Sequence, residues 1–234
     1  MIVSAAAETP PHFPSTLPPP ALPPVRHEVV NPADQEAVAW LCQLLRVGQA
    51  DLYGQDEADL ALLPTLTRTW MRRGEQLKVP APGNNEKCSV SAAVDLAEGW
   101  LGWFTHKKRC AEQFGATLFA CAARSSKRGR LAVLLVDNAQ SHQVGKTGIV
   151  RGWLDRLKGR VVLVFQPKYS PESQPTERLW RQWRPNVTHN HTRSTLAELI
   201  GDSDRWLTRA AAAPAAVLQM LALPLACPLV TIAA

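Results

Sequence analysis

Hydrophobic positions along the chain follow two kinds of pattern. Leu131-Ala-Val-Leu-Leu-Val136 and Val161-Val-Leu-Val-Phe165 are short, uninterrupted apolar runs, the signature of strands buried on both faces. Cys88 to Val94 and Trp100 to Phe104 predict two further strands, and Asp51 to Asp56 is a weaker candidate on propensity. Elsewhere the spacing is helical. Ala37, Val38, Leu41, Leu44 and Leu45 share a face after Asn31-Pro32, which reads as a cap followed by a first-turn proline. Phe114, Leu118 and Cys121 line one face of a helix over 111–124, and Ile149, Trp153, Leu154 and Leu157 line another. A helix over 175–183 follows a proline-rich loop, and one over 195–209 opens with Thr195 and Glu198 at capping-box spacing. Three strands, then helix, strand, helix, strand and helix predict an α/β sheet with helices packed on it.

The two ends break this pattern. Eight prolines lie between Pro10 and Pro24, so residues 1–32 read as an extended or disordered tail. Beyond Arg209 no charged residue occurs. Residues 210–234 are long enough to span a bilayer, but Pro214, Pro224 and Pro228 interrupt them, and each interior proline costs a helix roughly 3 kcal/mol. An apolar tail, with no membrane partner, is the expectation, which leaves residues 33–209 as the folded domain.

Composition sharpens the class. Apolar residues make up 46% of the 234 positions, enough to build a core, and charged residues 20%. Lys and Arg number 26 against 20 Asp and Glu, a net charge of +6. That balance suits an anionic partner, of which nucleic acid is the commonest, and equally a mildly basic soluble protein. The five cysteines include no C-x-x-C pair, which argues against a disulfide framework or a zinc ribbon and fits reduced thiols in a cytoplasm. The N-terminus lacks a basic region ahead of an unbroken apolar one, so it makes a poor secretion signal.

Three acidic residues stand out by position. Asp137 directly follows the buried run 131–136, at a strand end of the kind where α/β sheets place ligands. Glu177 opens a helix after a loop holding Pro167, Pro171 and Pro175, and Asp56 ends the first candidate strand. Taken singly, an Asp after a strand is more often a cap or turn residue. Were the three to converge, two charges about 4 Å apart would repel by roughly 4 kcal/mol at an effective dielectric near 20. One acid would then stay protonated, or a cation would sit between them. Oxygen-only sites suit Mg²⁺ or Mn²⁺, and two such ions about 3.5–4 Å apart serve phosphoryl transfer.

Three stretches bear a family resemblance: Gln55-Asp56-Glu57, Asp137-Asn138-Ala139-x-x-His142, and Tyr169-Ser170-Pro171-Glu172-x-x-Pro175-x-Glu177-Arg178-Leu179-Trp180. In order they resemble the signatures of DDE transposases, nearest to the insertion-sequence six-thirty group of the mariner superfamily. Leu63-Pro64, Trp70 with Gly74, Pro82-Gly83-x-Asn85 and Val187-Thr188-His189-Asn190-His191 extend the likeness over residues 48 to 209. The resemblance implies a ribonuclease H-like mixed sheet flanked by helices. It implies Asp56, Asp137 and Glu177 as metal-binding catalytic residues with two Mg²⁺ or Mn²⁺ ions, and Asn138 and His142 as supporting motif residues. It further implies cleavage at element ends and joining to target DNA, usually at TA, commonly by a homodimer.

The chain departs from that pattern in places. Ser173-Gln174-Pro175-Thr176 stands where the family usually has Leu-Asn-Pro-Ile, and 40 positions separate Asp137 from Glu177, somewhat more than is typical. A proline-rich stretch replaces the usual helix-turn-helix region, so a separate DNA-binding polypeptide is a candidate partner. The alternative reading is a truncated, inactive remnant with weak DNA binding. Two basic groups are candidate DNA contacts, Lys107, Lys108 and Arg109 in one and Lys127, Arg128 and Arg130 in the other, against the plainer reading of solvated faces. Val144-Gly145-Lys146-Thr147 lacks the glycine a phosphate loop needs five residues earlier, where Gln140 stands. Trp180 and Trp183 read as core.

Overall fold

A computed structural model describes residues 28–31, 33–76, 78–107, 111–139, 142, 144–145, 148–166 and 174–222. The proline-rich stretch before residue 28, Lys108, Arg109, most of the third motif's loop and the last twelve residues lie outside that set.

Six strands form one mixed sheet: β1 (Val29–Val30), β2 (Ala50–Ala61), β3 (Lys87–Asp95), β4 (Leu101–His106), β5 (Leu131–Val136) and β6 (Val161–Phe165). They lie in the order β1-β6-β5-β2-β3-β4. The β1–β6, β6–β5 and β5–β2 pairs are parallel, and β2–β3 and β3–β4 are antiparallel. This is the expected ribonuclease H-like arrangement, with one strand more than the pattern predicted, the two-residue β1.

Alternation along the central strands sorts side chains onto two cores. Leu131, Val133 and Leu135 of β5, with Leu52 and Ala58 of β2, face one core. Helices α1 (Gln35–Arg46), α4 (Pro175–Val187), α5 (Leu196–Ala211) and α6 (Pro214–Leu221) cover it. Ala132, Leu134 and Val136, with Tyr53, face the other, under α2 (Ala111–Ser126) and α3 (Ile149–Leu157). All six residues of β5 are wholly buried, which is why that segment reads as unbroken apolar.

β2 is longer than its propensity predicts. It holds four acidic residues and a glycine, yet pairing on both edges outweighs local preference. Its buried Asp51 accepts from Arg130 at 2.9 Å and from the Ser125 hydroxyl at 2.8 Å. Helix α1 starts later than Asn31-Pro32 suggests. Asp34 is its cap, accepting from the Ala37 amide at 3.1 Å, and Asn31 instead accepts from the Ala33 amide one turn earlier. The capping box at Thr195 and Glu198 is present.

Beyond Arg209 the chain stays ordered for another helix. α6 buries Val217 and Leu221 against the first core, and Arg178 of α4 donates to the carbonyls of Leu221 and Ala222 at 2.5 Å each. Gly99 (φ 71°) permits this docking, because a Cβ there would lie 2.2 Å from the Pro214 carbonyl oxygen. Among the described residues no helix is long and apolar enough to cross a membrane.

The doubly buried β5 sets the stability of the whole. Leu134→Ala should cost about 2–5 kcal/mol of unfolding free energy, read by urea denaturation; a loss under about 1 kcal/mol would mean the sheet is not packed this way.

Candidate functional site

Parallel pairing aligns Gly54 with Leu135. Two residues further along each strand direction come Asp56 and Asp137, so they stand at one level. Both have the parity of the residues facing the α1/α4/α5/α6 core. That is the face on which α4 begins, and Glu177 is the third residue of α4.

Gly54 lets α4 approach. A Cβ at Gly54 would lie 2.8 Å from the Thr176 hydroxyl oxygen and 3.8 Å from Pro175 Cβ. Only a residue without a side chain leaves room for the first turn of α4 against β2. One turn later Trp180, wholly buried, donates its indole N–H to Asp56 Oδ2 at 3.1 Å. Trp180 also meets Trp183 edge-on, with ring centroids 5.4 Å apart, so the core reading of this pair holds and Trp180 adds a polar contact to it.

The three acids sense one another. Burial is the largest cause of a raised Asp56 pKa, about 6 against an ordinary 3.8, and the charges of Asp137 and Glu177 push it further. The Glu57 amide and the Trp180 indole pull the other way. Asp137 accepts from the Ala139 amide at 3.0 Å and pairs with His142 Nδ1 at 2.6 Å. Glu177 accepts from Arg184 at 2.8 Å.

Supporting residues surround this group. His142 is buried, lies against the Phe114 ring at 4.2 Å between centroids, and reaches Glu57 with Nε2 at 3.4 Å. Burial pushes its pKa down, but the bonds to Asp137 and Glu57 outweigh that and carry it up to about 9. Its ring stands between two carboxylates, a placement that favours the imidazolium and orients Asp137. Asn138 donates to the Gln166 carbonyl at 2.6 Å.

The donor chemistry, three carboxylates around a buried like-charge repulsion, fits a hard divalent cation. As the side chains lie, no three His, Cys, Asp or Glu among the described residues stand close enough to enclose one ion. Each acid is held by another donor instead: Asp56 by Trp180, Asp137 by His142, Glu177 by Arg184. Ligation of an ion by all three would have to replace those bonds.

The candidate DNA contacts separate. Lys107 is exposed after β4, whose end pairs with the β3 residues nearest the carboxylate end of β2. Arg128 and Arg130 sit at the opposite end of the sheet, before β5. There Arg128 bonds Glu98 and Arg130 bonds Asp51, so this pair forms a structural ion-pair cluster, which neither the DNA-contact reading nor the solvated-face reading anticipated. Lys127 is exposed beside them.

Sequence reasoning missed an arm. Residues 62–86 leave the carboxylate end of β2 and return as β3. They carry a fully exposed Trp70 flanked by exposed Arg68, Arg72 and Arg73. The root of the arm is tied to the end of α4: Thr65 donates to the Thr188 carbonyl at 3.0 Å, and the Asn190 side chain both accepts from and donates to Thr67. The stretch Thr188-His189-Asn190 thus follows α4 and fastens the arm.

The family model described as DDE superfamily endonuclease matches residues 51–200. An insertion element IS630 uncharacterized 39 kDa protein of Shigella sonnei is 30% identical over 173 residues, 73% of this chain and 49% of that protein. The chain spans about half the length of the curated relative it matches. Among solved structures, a Mos1 transposase paired-end complex with left transposon end gives a TM-score of 0.51 at 17% identity, over 82% of this chain and 60% of that one. A pre-cleavage Mos1 transpososome gives 0.52 at 15%, over 95% and 66%. A Mos1 mariner paired end complex with Mn gives 0.51 at 15%, over 82% and 60%.

Two outcomes follow from this geometry. Gly54→Ala should displace the first turn of α4 and lower thermal stability, visible as faster amide exchange at residues 175–180; unchanged exchange would refute the close approach. Asp56→Asn should raise the melting temperature of the metal-free chain at pH 8. An acid whose folded pKa is raised destabilises the fold above that value and is neutral below its unfolded one. The gain should therefore shrink from about pH 6 and vanish near pH 4.

Proposed function

This chain belongs to the DDE superfamily endonuclease family, and from that membership we propose that it cuts and joins DNA for an insertion element, with Asp56, Asp137 and Glu177 holding two divalent ions. The observation carrying this reading is the placement of Asp56 and Asp137 at one level of neighbouring parallel strands, on the face where α4 begins with Glu177. The Mos1 mariner paired end complexes with Mn and with Mg support Mg²⁺ or Mn²⁺ here. Bound there, such ions supply Lewis acidity to an attacking oxygen and to the leaving one.

The chain's own residues do the rest. Asp56, Asp137 and Glu177 would hold the ions, Trp180 and His142 orient the first two, and Glu177 would have to give up its bond from Arg184 to do so. In cleavage, water attacks a phosphodiester at an element end, a new P–O bond forms, and the strand leaves with a 3′ hydroxyl. In joining, that hydroxyl attacks a target phosphodiester, proposed to be at TA; a new P–O bond forms as the target's P–O3′ bond breaks, and the target strand leaves with a 3′ hydroxyl. Lys107 and the arginines of the 62–86 arm lie at this end of the sheet and suit DNA phosphates. A second copy of the chain, and a separate polypeptide reading the terminal repeats, complete the proposed assembly.

Asp137→Asn should abolish Mn²⁺-dependent nicking of a supercoiled plasmid carrying the element ends while leaving the circular dichroism spectrum unchanged. Nicking that survives the change would overturn the assignment. A folded wild-type chain that neither nicks nor takes up Mn²⁺ in a calorimeter would point to the inactive remnant.

A further inference from the structure

We propose that Gln166 and Gln174 are positioning residues of this metal centre, linking the three acid-bearing segments through a buried chain of amide hydrogen bonds. The inference rests on the reading of Asp56, Asp137 and Glu177 as ligands.

The chain of bonds is continuous. Asn138 donates to the Gln166 carbonyl at 2.6 Å, and the Gln166 amide N–H donates to the Val136 carbonyl at 2.9 Å. The Gln166 side-chain NH₂ donates to Gln174 Oε1 at 3.0 Å, and the Gln174 NH₂ donates to the Gln55 carbonyl at 2.8 Å. Its direction is determined by its end. A backbone carbonyl can only accept, so Gln174 must present its NH₂ to Gln55 and its oxygen to Gln166. Both glutamines are buried, at 6% and 7% exposure, where an unmet amide is costly.

Every attachment point adjoins an acid. Gln55 precedes Asp56, Asn138 follows Asp137, and Gln174 caps the helix whose third residue is Glu177. The β2–β5 ladder already aligns the first two acids. No strand pairing reaches α4, so the amides carry the third into register. Gln174 makes no side-chain cap bond to its own helix, although capping is the usual work of that position. Its amide is turned to the sheet instead.

The test uses the full chain with Gln174→Met, Gln166→Met and the double variant, which keep length and remove the amides. Mn²⁺ affinity of the folded protein should fall about tenfold or more in each single variant. The double variant should lose no more than the worse single one, because one chain of bonds is broken either way. In metal-free protein, amide exchange should quicken at residues 175–180 and stay unchanged in β5. Mn²⁺ affinity within about twofold of wild type in both single variants, or additive losses in the double, would overturn the proposal. If wild type takes up no Mn²⁺, the ligand assignment fails separately, and exchange still decides whether the amides hold α4. Should a Met variant not fold, Gln174→Asn takes its place under the same criteria, since its amide is one methylene too short to span both partners.

Discussion

Two carboxylates held side by side on neighbouring parallel strands are the constraint around which this molecule is arranged. The pairing of Gly54 with Leu135 puts Asp56 and Asp137 at one level and on one face. Nothing about that placement favours folding: Asp56 is desolvated and feels both other acids. The cost is tolerated because β5 is wholly buried and its neighbours pair along its length. The buried apolar strands supply stability that offsets the cost of desolvating Asp56 within β2.

The third acid arrives by a different route. Glu177 belongs to a helix, and helices slide more readily than paired strands. Besides the amide bond from Gln174 to β2, two features restrain it. Gly54 lets the first turn of α4 lie against β2, and the indole of Trp180 reaches through the core to Asp56. At its far end α4 is tied to the 62–86 arm through Thr188 and Asn190, and along its side Arg178 caps α6. The helix therefore joins the carboxylates, the exposed cationic arm and the C-terminal helix into one mechanical unit.

Charge is distributed unevenly between the sheet's two ends. At one end Arg128 and Arg130 are matched by Asp51, Asp95 and Glu98, so that cluster is internally neutralised. At the other lie Lys107, just past the end of β4, and the 62–86 arm with its exposed arginines, past the end of β2. Exposed cations at that end suit the polyanionic substrate proposed for this chain.

Much of the architecture was legible along the chain. The apolar runs at 131–136 and 161–165 could only be doubly buried strands, and Asp137 had to emerge at the end of one. The capping box at Thr195 and the core role of Trp183 were equally plain, because each depends on residues adjacent in sequence or one helical turn apart. The likeness over residues 48 to 209 named the family before any coordinate did. What sequence alone could not supply were relations between distant residues: that β2, poor in strand propensity, is held by partners on both edges, or that Gly54 is empty for the sake of Thr176. Nor could it show that Arg130 answers Asp51, or that Gln174 spurns its own helix for Gln55. Local pattern is set by the chain's own periodicity and capping chemistry. Register, close approach and charge pairing are decided only when segments a hundred residues apart are brought into contact, and the candidate site is made of those contacts.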